Sequence, residues 1–192
     1  MKKLFVFIEI VIYITFLLLD LLKLNSSYIK YLGILLCFVF TTYNKDRYKS
    51  LAMLFTLLAD LFLLIIDKYY EIGLICFVFV QMIYALIIEK SRKTGLKSIL
   101  YRVLIFVLGL LIIIYLRSIS VLNILVILYF SNLLVNTILS YRCNNVLLAI
   151  GLSLFVCCDI CVGLHNIIST NIIATYLMWF FYLPSQVLIV LS

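Results

Sequence analysis

The sequence predicts an all-α fold, a polytopic bundle of about eight transmembrane helices, on three observations. The 192 residues are 67% hydrophobic, with a mean hydropathy of +1.30, far above the composition of a soluble domain. The apolar residues fall into runs of roughly 20, the length that crosses a hydrocarbon core about 30 Å thick, with short polar or charged breaks between them. Within each run they are continuous rather than alternating, which excludes barrel strands and leaves helices as the spanning structure. Almost nothing is left for a soluble domain, so 1–192 reads as a single integral membrane domain.

The first span, Leu4 to Leu22, follows Lys2 and Lys3 and so mimics a signal peptide. Glu9 interrupts its core and no small-residue cleavage motif follows, so it is read as a retained helix. Tyr28 to Tyr43 is the second span, and the third, Ser50 to Ile66, carries Asp60 in the stretch FTLLADLFLLIID. Tyr70 to Ile88 carries Gln81. The longest connection, EKSRKTGLKS from Glu89 to Ser98, divides the chain into halves of approximately 1–90 and 97–192. Ser98 to Leu116 and Ile119 to Ser140 follow it, then Val146 to Leu164 with Asp159 in VCCDICVGLHN, and finally Asn171 to Leu191 with Gln186. In each half the third span holds an Asp and the fourth a Gln, which suggests a possible 4+4 parallel internal repeat about an axis along the membrane normal.

The net charge of +7 does not point to nucleic acid, because the basic residues lie in the breaks and form no aromatic-interleaved patch. They report topology instead. An eight-span path puts Lys2, Lys3, Lys45, Arg47, Lys49, Lys90, Arg92, Lys93, Lys97, Arg102 and Arg142 on one side. Only Lys23, Lys30, Lys68 and Arg117 fall on the other. The positive-inside rule then places both termini in the cytoplasm of a multi-pass protein of the cell membrane. The six cysteines mostly fall inside spans, where they pack as small apolar residues, and no disulfide framework is implied. Cys157, Cys158, Cys161 and His165 form a cluster of metal-ligand types, but all four are on one helix and soft-metal sites need ligands from several directions; no metal is expected.

Three of the eight acids, Glu9, Asp60 and Asp159, sit inside spans. An Asp at a helix centre costs roughly 2.5 to 3.5 kcal/mol on insertion scales, so these side chains are expected to face the bundle interior. Helical spacing lines up further polar residues. Glu9, Tyr13, Phe16 and Asp20 share a face of the first span, and Thr56, Asp60 and Asp67 a face of the third. Gly73, Phe77, Gln81 and Tyr84 line up in the fourth. Tyr129, Asn132, Asn136 and Ser140 form a row in the sixth, and Thr175, Trp179, Tyr182 and Gln186 one in the eighth. Together they are expected to enclose one polar cavity. Any single Asn, Gln or Tyr among them serves equally well as interhelical glue, worth about a kcal/mol or less. The two Asp differ, because no Lys or Arg sits centrally in a span to pair with them, Arg102 lying near an end. A desolvated, unpaired carboxyl favours its neutral form and is then a proton donor.

The stretch SLAMLFTLLADLFLLIIDKYYEIGLICFVFVQMIYAL resembles the first signature of the YhhN-like lysoplasmalogenase family, in which Gly-Asp-x-x-Leu precedes Phe-x-x-Gly and Phe-x-x-x-His-x-x-Tyr. The matching residues are Asp60, Leu63, Gly73, Phe77, Gln81 and Tyr84. AIGLSLFVCCDICVGLHN is similar to the second signature through Gly151, Phe155 and Asp159, and WFFYLPSQVLIVLS to the closing one through Tyr182, Gln186, Leu188 and Ile189. The chain departs from the pattern at Ala59, where a Gly is usual, at Cys158, where a Ser is usual, and at Gln81, where the usual residue is His.

The resemblance implies a membrane hydrolase that cleaves the vinyl ether bond of lysoplasmalogens with water, releasing a fatty aldehyde and glycerophosphoethanolamine or glycerophosphocholine. It implies Asp60 and Asp159 as the catalytic acid and base, with no cofactor, and partners limited to the lysophospholipid substrate and the bilayer. Glu9, Tyr13, Thr56, Gln81, Tyr84, Asn132, Asn136, Trp179, Tyr182 and Gln186 would line the cavity around them. The logic parallels glycoside hydrolysis by a carboxyl pair. An intramembrane aspartyl protease would also use two Asp, but its Gly-x-Gly-Asp and Tyr-Asp motifs are replaced here by LLAD and VCCD. The alternative is a proton-coupled transporter or flippase, which needs membrane acids and duplicated halves as well.

Overall fold

The structure, a computed structural model, describes residues 1–91, 95–167 and 172–192. Every regular element among them is helical: α1 (Lys2–Leu21), α2 (Ser27–Tyr43), α3 (Arg47–Asp60), a π-helical turn (Leu61–Ile66), α4 (Tyr70–Ser91), α5 (Gly95–Tyr115), α6 (Val121–Ser140), α7 (Val146–Ile167) and α8 (Ile172–Leu191). The eight expected segments are therefore all present, with ends moved by a few residues. α4 and α5 run on into the expected Glu89 to Ser98 connection, leaving only 92–94 between them; those positions, like Asn171, lie outside the described residues. Seven helices, α3 being counted with its π-helical turn, are long and apolar enough to cross a bilayer, whereas α2 has only 17 residues and sits at the lower limit of spanning length.

Side chains sort by face as a membrane bundle requires. On α1, Phe5, Glu9, Ile12 and Phe16 point inward, while Phe7, Ile10, Ile14 and Leu18 form the exposed apolar face. Helix starts are marked by side-chain caps where the sequence supplies them. Asp46 accepts from the Lys49 N–H at 3.2 Å, and Ser120 accepts from that of Asn123 at 3.1 Å. Short connections make successive helices antiparallel neighbours. Within each half the chain meanders, α1 to α2 to α3 to α4 and α5 to α6 to α7 to α8. Across the halves α4 packs on α6 and α8 on α2, the two contacts that an exchange of halves would interconvert. α5 lies on the outside against α6, with Ser98 its buried residue.

Two local features shape the interior. Gly151 lets α7 approach α8 closely: a Cβ there would stand 3.0 Å from the Ser185 carbonyl oxygen and 2.7 Å from Ile189, and the backbone atom cannot move aside. Pro184 lies inside α8 and has no N–H to donate to the carbonyl of Phe180, one turn earlier. Tyr13 of α1 donates its hydroxyl to that carbonyl at 3.2 Å, which satisfies a backbone group otherwise stranded in the hydrocarbon region. The Lys2 side chain and the Leu191 backbone meet at one end of the bundle through a 3.5 Å bond from Nζ to the Leu191 carbonyl, so both termini are at that end.

Candidate functional site: two carboxyls in a polar interior

Asp60 is the last of the 14 residues of α3, and Asp159 stands at the same count from the start of α7. At about 1.5 Å per residue both lie roughly 20 Å along their helices from the end that holds the termini. Asp60 is buried, and the π-helical turn begins directly after it. Such turns widen the helix and recur at functional positions. Gly73 of α4 packs against this turn, where a Cβ would come within 2.7 Å of Leu63. The turn also corrects an expectation: Asp67 does not share the Asp60 face, because the π-helical register rotates it away. It ends exposed in a left-handed conformation and accepts the Tyr70 hydroxyl at 2.7 Å.

The Tyr182 hydroxyl of α8 donates to Asp60 Oδ2 at 2.7 Å. Asp159 is half-buried as a residue, but its Oδ2 is fully enclosed and has no hydrogen-bond partner. The Tyr129 hydroxyl of α6 lies beside Asp159 and interacts with its carboxyl, though the bond is less well formed than that of Tyr182 to Asp60. Cys158, in place of the usual Ser, lies within electrostatic reach of both carboxyls, and Tyr182 within reach of Tyr129. Aromatic rings fill the space between. Phe155 is edge-on to Tyr129 at 6.2 Å and tilted on Tyr182 at 5.6 Å, and Trp179 is edge-on to Tyr182 at 5.3 Å. The two acids thus belong to one cluster although α3 and α7 are not direct packing partners. Among the described residues neither forms an ion pair.

Around this pair the interior is rich in polar atoms without partners. Among the described residues these are Glu9 Oε2, Gln81 Nε2, Tyr84 Oη, Tyr129 Oη, Asp159 Oδ2 and Gln186 Oε1, contributed by five helices. Buried polar atoms are ordinarily paired, so this set makes the region the candidate for meeting polar groups from outside the chain. Glu9 is enclosed, with only the Cys37 thiol at 3.6 Å from its Oε1. Gln186 uses its amide N–H on Ser185 at 3.3 Å. Gln81 accepts from Asn136 Nδ2 at 2.9 Å, and Asn136 in turn accepts from Arg102 at 2.7 Å.

Other expected site residues have their polar atoms occupied elsewhere. Thr56 is buried but donates to the Ala52 carbonyl of its own helix at 3.0 Å. Tyr13 serves the α8 backbone as described, and Asn132 accepts from Arg102 at 2.7 Å. Trp179 is half-buried beneath Lys30, whose ammonium lies 4.6 Å from the ring centroid. Lys30 is also paired with Asp20 at 2.8 Å, and Ser26 donates to the same carboxylate. A pocket of about 360 Å³ opens there, lined by Asp20, Lys23, Leu24, Lys30, Thr175 and Tyr176, at the end of the bundle away from the termini. Of the cysteine cluster, Cys158 and Cys161 are buried and Cys157 half-buried, while His165 Nδ1 lies 3.1 Å from the Thr175 hydroxyl. Among the described residues no three His, Cys, Asp or Glu side chains converge.

Sequence reasoning left Arg102 and Lys30 out of the site: Arg102 was set aside as lying near a span end, and Lys30 was counted as a topological charge. The signal for Arg102 was present: Asn132 and Asn136, one turn apart on α6, form a pair of side-chain acceptors that calls for a cation from a neighbouring helix. Lys30 and Asp20 bracket the first turn between helices, a spacing that a sequence does not convert into contact.

An all-helical bundle with an apolar exterior and seven helices long and apolar enough to cross a bilayer among the described residues defines a polytopic membrane protein. The chain belongs to the YhhN family, whose model matches residues 25–192. α1, which brings Glu9, lies wholly outside the matched stretch. No curated protein and no solved structure matches the chain.

Proposed function

We propose that the chain is a lysoplasmalogenase-type hydrolase that cleaves the vinyl ether bond of a lysoplasmalogen within the bilayer, with Asp60 and Asp159 as its acid and base. The observation that carries this reading is the pair of enclosed carboxyls without ion-pair partners, ringed by polar atoms that the protein itself leaves unmatched. Asp159, whose carboxyl is held less tightly by Tyr129 than Asp60 is by Tyr182, is the acid: its proton goes to the alkenyl carbon remote from the ether oxygen, and the oxygen's lone pair closes an oxocarbenium ion. Asp60, held and polarised by Tyr182, is the base. It takes a proton from the attacking water as the new C–O bond forms a hemiacetal. Return of that proton to the glycerol oxygen, as the hemiacetal hydroxyl gives its own proton to the Asp159 carboxylate, breaks the C–O bond to glycerol, releasing aldehyde and the glycerophospho headgroup and restoring both carboxyls. Gln81 and Gln186 hold the water and the glycerol oxygens.

The apolar walls receive the alkenyl chain, and the Lys23 and Lys30 pocket receives the phosphate, Trp179 linking that pocket to Tyr182. The charge asymmetry along the chain supports termini in the cytoplasm of a plasma-membrane protein, which opens this pocket to the opposite side.

The test is a paired assay. Purified protein in detergent or nanodiscs is given a lysoplasmalogen and the matching ester lysophospholipid side by side. Aldehyde from the first with no fatty acid from the second is expected. No aldehyde, together with gradient-dependent lipid movement in vesicles, would establish the transporter reading instead.

A further inference from the structure

Arg102 reaches into the bundle from the peripheral helix α5 and is held by two amides of α6. Its guanidinium donates to Asn132 Oδ1 and to Asn136 Oδ1, each at 2.7 Å. The directions of these bonds are not free. Arginine has only donors, so both Asn oxygens must face it. Asn132 Nδ2 is then turned to the Leu128 carbonyl at 2.7 Å, and Asn136 Nδ2 to α4, where it meets the backbone carbonyl of Gln81 at 2.8 Å and its Oε1 at 2.9 Å. A backbone carbonyl only accepts, so the Asn136 amide is fixed from both sides. Gln81 has no choice left either: its oxygen must face Asn136, because its nitrogen there would set donor against donor. The Gln81 Nε2 hydrogens are consequently turned to the interior, where Nε2 is buried without a partner on a side chain that is 0% exposed.

The place to which they turn is part of the two-carboxyl cluster. Gln81 stands on the α4 face between Phe77 and Tyr84. Tyr129 touches Phe77, with ring centroids 5.5 Å apart, and lies within electrostatic reach of Tyr84 and of Asp159.

We infer that Arg102, Asn136 and Gln81 form a polarity-setting chain that makes Gln81 Nε2 an obligate hydrogen-bond donor to an acceptor oxygen of the bound lipid, a glycerol hydroxyl, ether or phosphate-ester oxygen. Arg102 and Asn136 are positioning residues, and Gln81 is the contact. The subsite selects oxygen and refuses an ammonium or N–H group, which would meet hydrogen with hydrogen. The inference rests on the reading of the interior as a lysolipid site, but not on the reaction carried out there.

The test uses the full chain in nanodiscs and an uncleavable probe, a saturated alkyl-ether lysophosphocholine, with binding followed by the fluorescence of the single tryptophan, Trp179. Asn136→Asp keeps an acceptor for Arg102 but offers Gln81 no donor, so the Gln81 amide reverses and presents oxygen inward. Gln81→Met removes the donor directly at nearly constant length and volume, with no proton to offer in its place. Each is expected to weaken the probe roughly tenfold, the scale of one lost hydrogen bond. Gln81→His can accept from Asn136 on one ring nitrogen and donate from the other, and should stay within about threefold of wild type. Thermal unfolding confirms that each variant is folded; if Asn136→Asp is not, Gln81→Met against Gln81→His decides. Wild-type affinity in folded Gln81→Met, equal loss in Gln81→His, or no binding by the wild-type chain would each overturn the inference. Vinyl ether hydrolysis is scored separately. Variant-dependent binding without hydrolysis by the wild type upholds the subsite and sinks the reaction, whereas hydrolysis with unchanged variant affinities does the reverse.

Discussion

Asp60→Asn and Asp159→Asn should each lower the turnover of lysoplasmalogen by at least about a hundredfold, the lower range of what a positioned general acid or base supplies. The substitution conserves shape and removes only the titratable proton. For Asp60 it also keeps an oxygen that can accept from Tyr182, so the helix packing around the 2.7 Å bond should survive. For Asp159 it places an amide where Oδ2 now has no partner, which should leave stability nearly unchanged. The two acids act on successive proton transfers of one reaction, so the double variant should be little worse than the slower single one. Aldehyde release by monodisperse, lipid-binding preparations is the measurement. A folded single variant that turns over at near the wild-type rate would remove that residue from the mechanism.

Tyr182→Phe is expected to lower kcat by roughly ten- to a hundredfold with KM little changed, because a hydrogen bond to a charged group is worth about 1.5 to 3 kcal/mol. The ring keeps its contacts with Phe155 at 5.6 Å and Trp179 at 5.3 Å, so only the hydroxyl on Asp60 is lost. The carboxyl then no longer has one oxygen fixed and loses its aim at the attacking water. In an Asp60→Asn background the same substitution should add almost nothing, since the group it orients is already disabled. A full additional loss there would mean that Tyr182 acts on the substrate directly rather than through Asp60.

The spans were legible because hydrocarbon imposes one rule on every residue it touches, and the helix period then assigned the inward faces. That is how Glu9, Asp60 and Gln81 were identified as buried, and the structure encloses all three. What periodicity could not carry was departure from itself. The π-helical turn at Leu61–Ile66 breaks the register that had joined Asp67 to Asp60. Tyr13 was read as lining the interior because it lies one turn from Glu9, yet its hydroxyl answers a backbone gap that Pro184 opens 167 positions away from it at Phe180. Arg102 was classed as an end charge because its depth was counted along its own helix. Its long side chain carries the guanidinium to Asn132 and Asn136 on the neighbouring one. For Tyr13 and Arg102 the deciding partner is on another helix, and helix-to-helix adjacency is what a single sequence does not encode in its spacing.

Hydrolysis in heavy water tests the central claim most directly. If a protein carboxyl protonates the alkenyl carbon before water attacks, the fatty aldehyde formed by purified enzyme in D2O must carry one deuterium on the carbon next to the carbonyl, as read by mass spectrometry after immediate trapping. Incorporation of a single deuterium, lost together with turnover in Asp159→Asn, is the predicted result. Aldehyde without deuterium, or deuterated aldehyde formed equally well by folded Asp159→Asn, would contradict the account.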